Sequence, residues 1–159
     1  MVQDESLLRH AIGLAATARE SGNHPFGALL ADASGELLLE AQNTVVTESD
    51  ATGHAETNLV RLASRAYPRT GLAQTTLYTS TEPCTMCAGA IYWSGIGAVV
   101  YALAGSELRV LTGDDPENPT LALPCRDVFA AGQRPVEVRG PYELPEAREV
   151  HHRFWNQAG

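Results

Sequence analysis

The sequence predicts a layered α/β domain in which helices cover both faces of a mixed, five-stranded sheet. Two observations predict it: apolar residues recur at helical spacing in some segments, while other short segments are rich in β-branched and apolar residues. These two kinds of segment alternate along 159 residues, a length that suits one domain with a sizeable core. We therefore expect one domain over residues 1–159, built as a three-layer α/β/α sandwich.

The first half of the chain predicts a helix, a hairpin and a second helix. Leucine and alanine recur at helical spacing over 6–21, which predicts a helix with one apolar face. Short apolar runs at 27–32 and 36–42 flank a turn signal at 33–35, so we expect two strands joined by a tight turn. Segment 54–66 carries its apolar residues on one face, which predicts a helix packed on the sheet.

The second half continues the alternation and then becomes irregular. The composition of 74–80 and of 97–102 predicts two strands, and a buried helix is expected between them at 84–94. The stretch 112–135 is interrupted by prolines, and long irregular stretches inside compact domains are usually functional or mobile. Two further elements are expected near the C-terminus, a short strand at 136–139 and a helix at 145–156.

The charge of the chain narrows the functions that it can perform. The sequence has 19 acidic residues against 11 basic ones, a formal net charge of -8, and every basic residue is an arginine. Without lysine, the chain cannot form a lysine Schiff base or use a lysine as a general base or in a phosphate-binding loop. The acidic excess argues against broad binding of nucleic acid, which needs a cationic face.

The N-terminal residues and the cysteines indicate the cellular compartment in which the protein is expected. Residues 1–5 lack the basic and apolar regions of a secretion signal, and no apolar run is long enough to cross a bilayer. Three cysteines, two of them in a C-x-x-C, suit a metal or redox site in a reducing compartment better than a disulfide framework. We therefore expect a cytoplasmic protein with no membrane association.

Two short motifs carry the chemistry, His54-Ala55-Glu56 and Pro83-Cys84-Thr85-Met86-Cys87. Cys84 and Cys87 are three residues apart at the start of the predicted helix, so both sulfurs can reach one ion, and the helix dipole favours their thiolates. Together with His54 they form a set of three ligands. Three protein ligands and one water form the catalytic arrangement of zinc, in which the pKa of the water falls to about 7.

Glu56 is placed to serve as a proton carrier beside that water. In a continuous helix the side chains of His54 and Glu56 would point about 200° apart. They can face one site only if His54 lies just outside the helix, which the preceding Thr52-Gly53 makes reasonable.

These motifs resemble those of the cytidine deaminase superfamily, whose zinc deaminases carry H-x-E followed by P-C-x-x-C. The resemblance runs from about residue 6 to about residue 102 and includes Pro25-Phe26-Gly27-Ala28, Asn43, His54-Ala55-Glu56 and the stretch from Thr81 to Ile91. It implies that His54, Cys84 and Cys87 bind zinc. It also implies that Glu56 moves a proton from the attacking water to a ring nitrogen and then to the leaving amine. Substrate contacts are implied for Asn43, Phe26, Ala55, Trp93, Asp114, Asp115 and Trp155.

Within this superfamily the sequence is most similar to guanine deaminases. The features shared with them are Pro25-Phe26-Gly27-Ala28, Tyr92-Trp93, the acidic pair Asp114-Asp115 and the aromatic end Phe154-Trp155. A carboxylate at 114 or 115 could accept from the ring N–H and the amine of guanine. The resemblance thus implies deamination of a free nucleobase, guanine to xanthine, by a homodimer. It leaves open whether the C-terminal segment 111–159 is exchanged between subunits.

Other functions remain open from the sequence. A related deaminase could act on cytosine, isocytosine or an aminotriazine, and a tRNA adenosine deaminase would carry the same zinc motifs. From another class, a structural zinc module would use Cys125 as a fourth ligand, although we expect Cys125 to be a free thiol without a role. Asp114 and Asp115 could equally form a solvated turn, and Trp93 could belong to the core. His24 could line the pocket, although a histidine in a loop usually only faces water.

Overall fold

The computed structural model describes residues 2–156 and has a five-stranded mixed sheet at its centre. Its strands are β1 (Gly27–Ala31), β2 (Leu37–Gln42), β3 (Thr76–Thr81), β4 (Ala98–Leu103) and β5 (Glu137–Arg139). The strand order is β2-β1-β3-β4-β5. Strand β1 pairs antiparallel with β2 and β3, whereas β3, β4 and β5 run parallel.

Helices lie on both faces of this sheet, so the predicted three-layer sandwich is confirmed. The helices are α1 (Val2–Glu20), α2 (Ala55–Ala66), α3 (Arg69–Leu72), α4 (Thr85–Ser94), α5 (Gly105–Thr112), α6 (Cys125–Ala130) and α7 (Pro145–Glu149). Among residues 2–156, no helix combines the length and the apolar composition needed to cross a membrane.

Alternating side chains on the strands build two separate apolar clusters. Leu30 of β1 and Val99 of β4 join α2, α4 and α6 on one face. Their strand neighbours Leu29 and Val100 join α1 and α7 on the other face. Because successive side chains of a strand point to opposite faces, fully buried strands such as β1 and β4 are apolar at every position.

The main differences from the expected elements lie after β4. Helix α5 was not expected, and α6 interrupts the stretch predicted to be irregular, because Pro124 caps a helix there instead of breaking one. The expected helix at 145–156 ends at Glu149 and continues as turns. Arg153 and Asn156 have positive φ angles in these turns, which a continuing helix does not permit.

Candidate active site

The N-termini of α2 and α4 lie side by side and carry the two motifs. His54 is the residue before α2, with extended backbone angles of φ -72° and ψ 147°. Cys84 holds the same position before α4, with φ -67° and ψ 173°. Because His54 lies outside the helix and Glu56 inside it, both side chains reach one cavity, as the sequence predicts.

The three predicted ligands lie close enough to hold one metal ion. The Nδ1 atom of His54 is 3.5 Å from the Sγ atom of Cys84 and 3.5 Å from that of Cys87. The ligand atoms of the trio all lie within 4.8 Å of one another. Tetrahedral zinc with ordinary bond lengths places a nitrogen ligand and a sulfur ligand about 3.6 Å apart. The geometry and the donor set therefore fit zinc, with one coordination position left for a non-protein ligand.

Of the three predicted ligands, Cys84 is the one whose surroundings favour the deprotonated form. Hydrogen bonds from Cys87 and His54 to the sulfur of Cys84 outweigh burial and lower the pKa of Cys84 to about 4. The same contact with Cys84 raises the pKa of His54. A thiolate is thus available at Cys84, at the positive end of the dipole of α4.

Glu56 is a buried carboxyl group next to the trio. Only 6% of the residue is exposed, and burial followed by the charge of Cys84 raises its pKa to about 7. The charge of His54 opposes this rise in the pKa of Glu56. Glu56 is not one of the three clustered ligands, so its carboxyl group remains available for proton transfer.

A cavity of about 450 Å³ opens in front of these residues. It is lined by His54, Glu56 and Cys84 and by residues 116–121. Phe26 and Asn43 line the cavity, which agrees with their predicted place. Asn43 is 1% exposed, and its side-chain oxygen accepts from the Val45 N–H at 3.0 Å, so its amide hydrogens are the groups left to donate.

Two predicted substrate contacts lie on the helices but do not line the cavity. Ala55 is the first residue of α2 and is fully buried in the core. Trp93 is 75% exposed near the end of α4. The expectation that Trp93 lines the pocket of its own chain is wrong, because nine residues after Cys84 a side chain points about 180° away around the helix.

The acidic pair Asp114-Asp115 does not line the cavity either. Asp114 is exposed, while Asp115 accepts hydrogen bonds from the backbone N–H of Asn156 at 2.6 Å and of Glu117 at 3.0 Å. Those two backbone contacts lower the pKa of Asp115. Asp115 therefore joins the loop after α5 to the C-terminal turns.

Sequence reasoning missed one carboxylate that lines the cavity beside Glu56, that of Glu117. Its Oε2 atom lies 3.1 Å from the Nε2 atom of His24, and both residues line the cavity wall. The expectation that His24 faces water is also wrong, since only 5% of the residue is exposed. The available signal was an acidic residue in a proline-rich stretch. Asp114 and Asp115 share this signal, so the sequence could not single out Glu117.

Trp155 supports the cavity from behind instead of lining it. The residue is 7% exposed, and its ring lies 5.3 Å from that of His24 and 6.0 Å from that of Phe26. Its indole N–H donates to Nδ1 of His151 at 3.0 Å. The C-terminal turns thus hold two residues of the cavity wall in place.

Cys125 takes no part in the metal cluster, which excludes the four-ligand structural site. Within residues 2–156, the metal-capable group contains His54, Cys84 and Cys87 only. Cys125 is a buried free thiol at the start of α6, and burial raises its pKa to about 12. Its backbone N–H donates to Glu82 at 2.9 Å.

Comparison with known proteins identifies the family. Residues 1–103 match the model of the cytidine and deoxycytidylate deaminase zinc-binding region. A probable cytosine deaminase of Schizosaccharomyces pombe is 42% identical over 97% of this chain and 93% of its own length. The guanine deaminase of Bacillus subtilis is 39% identical over 70% of this chain and 71% of its own length.

One solved structure and one tRNA-specific deaminase are also similar to this chain. The crystal structure of the Bacillus subtilis guanine deaminase superposes with a TM-score of 0.60 at 35% identity, over 76% of this chain and 82% of that one. A tRNA-specific adenosine deaminase of Haemophilus influenzae is 40% identical over 62% of this chain and 57% of its own length. The chain therefore belongs to the cytidine and deoxycytidylate deaminase family and is a zinc-dependent deaminase.

Proposed function

We propose that this deaminase removes the amino group of a free nucleobase and that guanine is its preferred substrate. One observation carries the reaction: the buried carboxyl group of Glu56 lies beside a three-ligand metal set that opens on a cavity. The reaction consumes guanine and water and yields xanthine and ammonia.

The residues of the site have different roles in the hydrolysis. His54, Cys84 and Cys87 would hold zinc, which when bound supplies a water of lowered pKa. Glu56 takes a proton from that water and delivers it to the ring nitrogen next to the attacked carbon. A second proton passes through the same carboxylate to the amine, which leaves as ammonia.

Three other residues of the cavity lining, Asn43, Phe26 and Glu117, offer groups that complement guanine. The amide hydrogens of Asn43 can donate to a carbonyl oxygen of the base, and Phe26 offers an apolar ring beside it. Glu117 can accept from a ring N–H and an exocyclic amine, a pair of donors that guanine presents. In this proposal Glu117 is the carboxylate that accepts hydrogen bonds from the base, a role that the resemblance implied for Asp114 or Asp115.

Ammonia release from a panel of free bases tests the substrate. The panel contains guanine, adenine, cytosine, isocytosine and aminotriazines, each with its nucleoside where one exists. We expect the largest kcat/KM for guanine and loss of activity when zinc is removed by a chelator. Activity on cytosine with none on guanine would contradict the proposed substrate while leaving the reaction intact.

Replacing Glu117 by glutamine tests the recognition of guanine. The amide keeps one acceptor but loses the charge, so we expect kcat/KM for guanine to fall roughly 10- to 100-fold, as for hydrogen bonds to a charged group. Asp114→Asn is the matched control, because Asp114 is an acidic residue of the same loop that does not line the cavity. Equal kcat/KM values for Glu117→Gln and the wild type would remove Glu117 from the site.

Cytosine is the second candidate, and a specific observation favours it. The Schizosaccharomyces pombe relative described as a probable cytosine deaminase aligns over 97% of this chain, including the C-terminal part that carries Glu117.

In contrast, the acidic net charge of the chain disfavours tRNA as a substrate. A net charge of -8 without lysine provides little attraction for a phosphate backbone. Inosine in tRNA, without ammonia from any free base, would reverse this order.

We also propose that the working unit is a homodimer in which residues 111–159 stay with their own chain. Trp93 is the most exposed aromatic side chain of α4, and an exposed tryptophan is characteristic of interfaces. Trp155 packs on His24 and Phe26 of the same chain, which favours retention of the C-terminal turns. Light scattering at several concentrations should give twice the chain mass. A fully active monomer would contradict the dimer.

A further inference from the structure

The two cysteines of the metal set have different surroundings. Cys84 precedes α4 and lines the cavity, and its sulfur lies 3.5 Å from Nδ1 of His54. Cys87 is fully buried in the first turn of α4 and does not line the cavity. The side-chain oxygen near its sulfur is that of Thr57, with Oγ1 3.2 Å from Sγ.

Thr57 is brought to this place by the packing of α2 on α4. It follows Glu56 directly and lies in the first turn of α2, where the residue is 9% exposed. A helical threonine commonly bonds to the carbonyl four residues earlier, which here is Gly53. That carbonyl already accepts from the backbone N–H of Thr44 and the side-chain amide of Asn58. The hydroxyl of Thr57 is directed to Cys87 instead.

We propose that Thr57 is a positioning residue of the metal centre, whose hydroxyl donates to the Cys87 thiolate, fixes that ligand and draws negative charge from its sulfur. The proposal rests on the proposed function in taking His54, Cys84 and Cys87 as the zinc ligands. A metal-bound cysteine has lost its proton and can only accept, so the hydroxyl must be the donor.

The electrostatic consequence follows from the charges of the set. Two thiolates together cancel the two positive charges of zinc, and a sulfur that keeps its full charge leaves the ion less able to polarise a bound water. A hydrogen bond to one sulfur moves charge away from the metal. In a fully buried environment, where no water can replace this donor, the contact is worth more than at the surface.

The experiment compares two variants of Thr57 in the full-length protein. Thr57→Val keeps the shape and removes the hydroxyl, whereas Thr57→Ser keeps the hydroxyl. Zinc affinity is measured by competition with a chromophoric chelator, and the thiolate-to-metal charge-transfer band is recorded on the cobalt-substituted protein. We expect zinc affinity to fall about 10- to 100-fold in Thr57→Val, the usual cost of losing such a partner. Its cobalt band should move to longer wavelength, because the sulfur lone pairs rise in energy without the donor.

The controls separate this proposal from packing effects and from failure of the proposed function. Thr57→Ser should bind zinc like the wild type, because it keeps the hydroxyl that donates to Cys87. If Thr57→Val does not fold, Thr57→Ala serves as the second hydroxyl-free variant. Wild-type affinity and an unshifted band in the hydroxyl-free variant overturn the role of Thr57, as does equal impairment of the serine and valine variants. A wild-type chain that binds no zinc overturns the ligand assignment itself.

Discussion

Glu56→Gln is expected to lower kcat at least about 10³-fold while the protein keeps its zinc. The amide has nearly the same shape as the carboxylate but cannot take a proton from water and return it to the base. The metal should remain because Glu56 lies outside the cluster of His54, Cys84 and Cys87. Substrate affinity should change little, since recognition is assigned to Asn43, Phe26 and Glu117.

Three measurements check this expectation. Ammonia release gives kcat, elemental analysis gives the zinc content, and equilibrium binding of guanine gives the affinity. Glu48→Gln is the control, because Glu48 is an exposed loop residue. An active Glu56→Gln enzyme with full zinc would refute the proton-carrying role. An inactive variant that has lost its zinc would instead show that Glu56 supports the metal.

The metal ligands and Glu56 were predictable from the sequence because local geometry largely decides their positions. His54 and Cys84 each precede a helix, and their neighbours in sequence fix the direction of the side chains. The two cysteines are one helical turn apart, so a single helix start brings both sulfurs to one point. The strands were predictable for a similar reason, since complete burial makes β1 and β4 apolar at every position.

The cavity wall could not be predicted because its residues are positioned by distant partners. Asp115 looked like a substrate contact, but its carboxylate binds the backbone of Asn156, 41 residues later. Glu117 is directed to the cavity by His24, 93 residues earlier. Neither partner is recognisable from spacing or composition. The contact of Thr57 with Cys87 likewise depends on how two helices pack.

Asp4 should make a large contribution to stability through contacts far from the active site. The residue is 1% exposed in the first turn of α1. Its carboxylate accepts hydrogen bonds from Tyr78 at 2.8 Å, Tyr142 at 2.7 Å, and Arg139 at 2.9 and 3.1 Å. Burial raises the pKa of Asp4, but these hydrogen bonds and the charge of Arg139 outweigh it and lower the pKa to about 2.

This lowered pKa sets the direction of the pH dependence. The ordinary value is 3.8, so the folded protein binds the proton of Asp4 less readily than the unfolded chain does. The ionised carboxylate therefore stabilises the fold by about 2 kcal/mol above pH 5, and this contribution disappears as the pH falls from about 5 to below 2. At pH 3 roughly half of it should remain.

Asp4→Asn is therefore expected to lower the free energy of unfolding by about 2 to 3 kcal/mol at pH 7, since it also leaves Arg139 without its buried partner. Urea unfolding of both proteins at each pH from 7 to 3 gives the difference directly, and changes common to both, such as loss of metal in acid, cancel. Glu5→Gln is the matched control: Glu5 is half-exposed in the same helical turn, and its Oε2 atom lies 3.6 Å from Nη1 of the exposed Arg9. This variant should change stability by less than about 0.5 kcal/mol. A difference between Asp4→Asn and the wild type that stays constant down to pH 3 would show that Asp4 acts through shape and not through charge. A difference that narrows with acid would confirm that one ionised side chain joins α1 to the two strands and the turn that carry its partners.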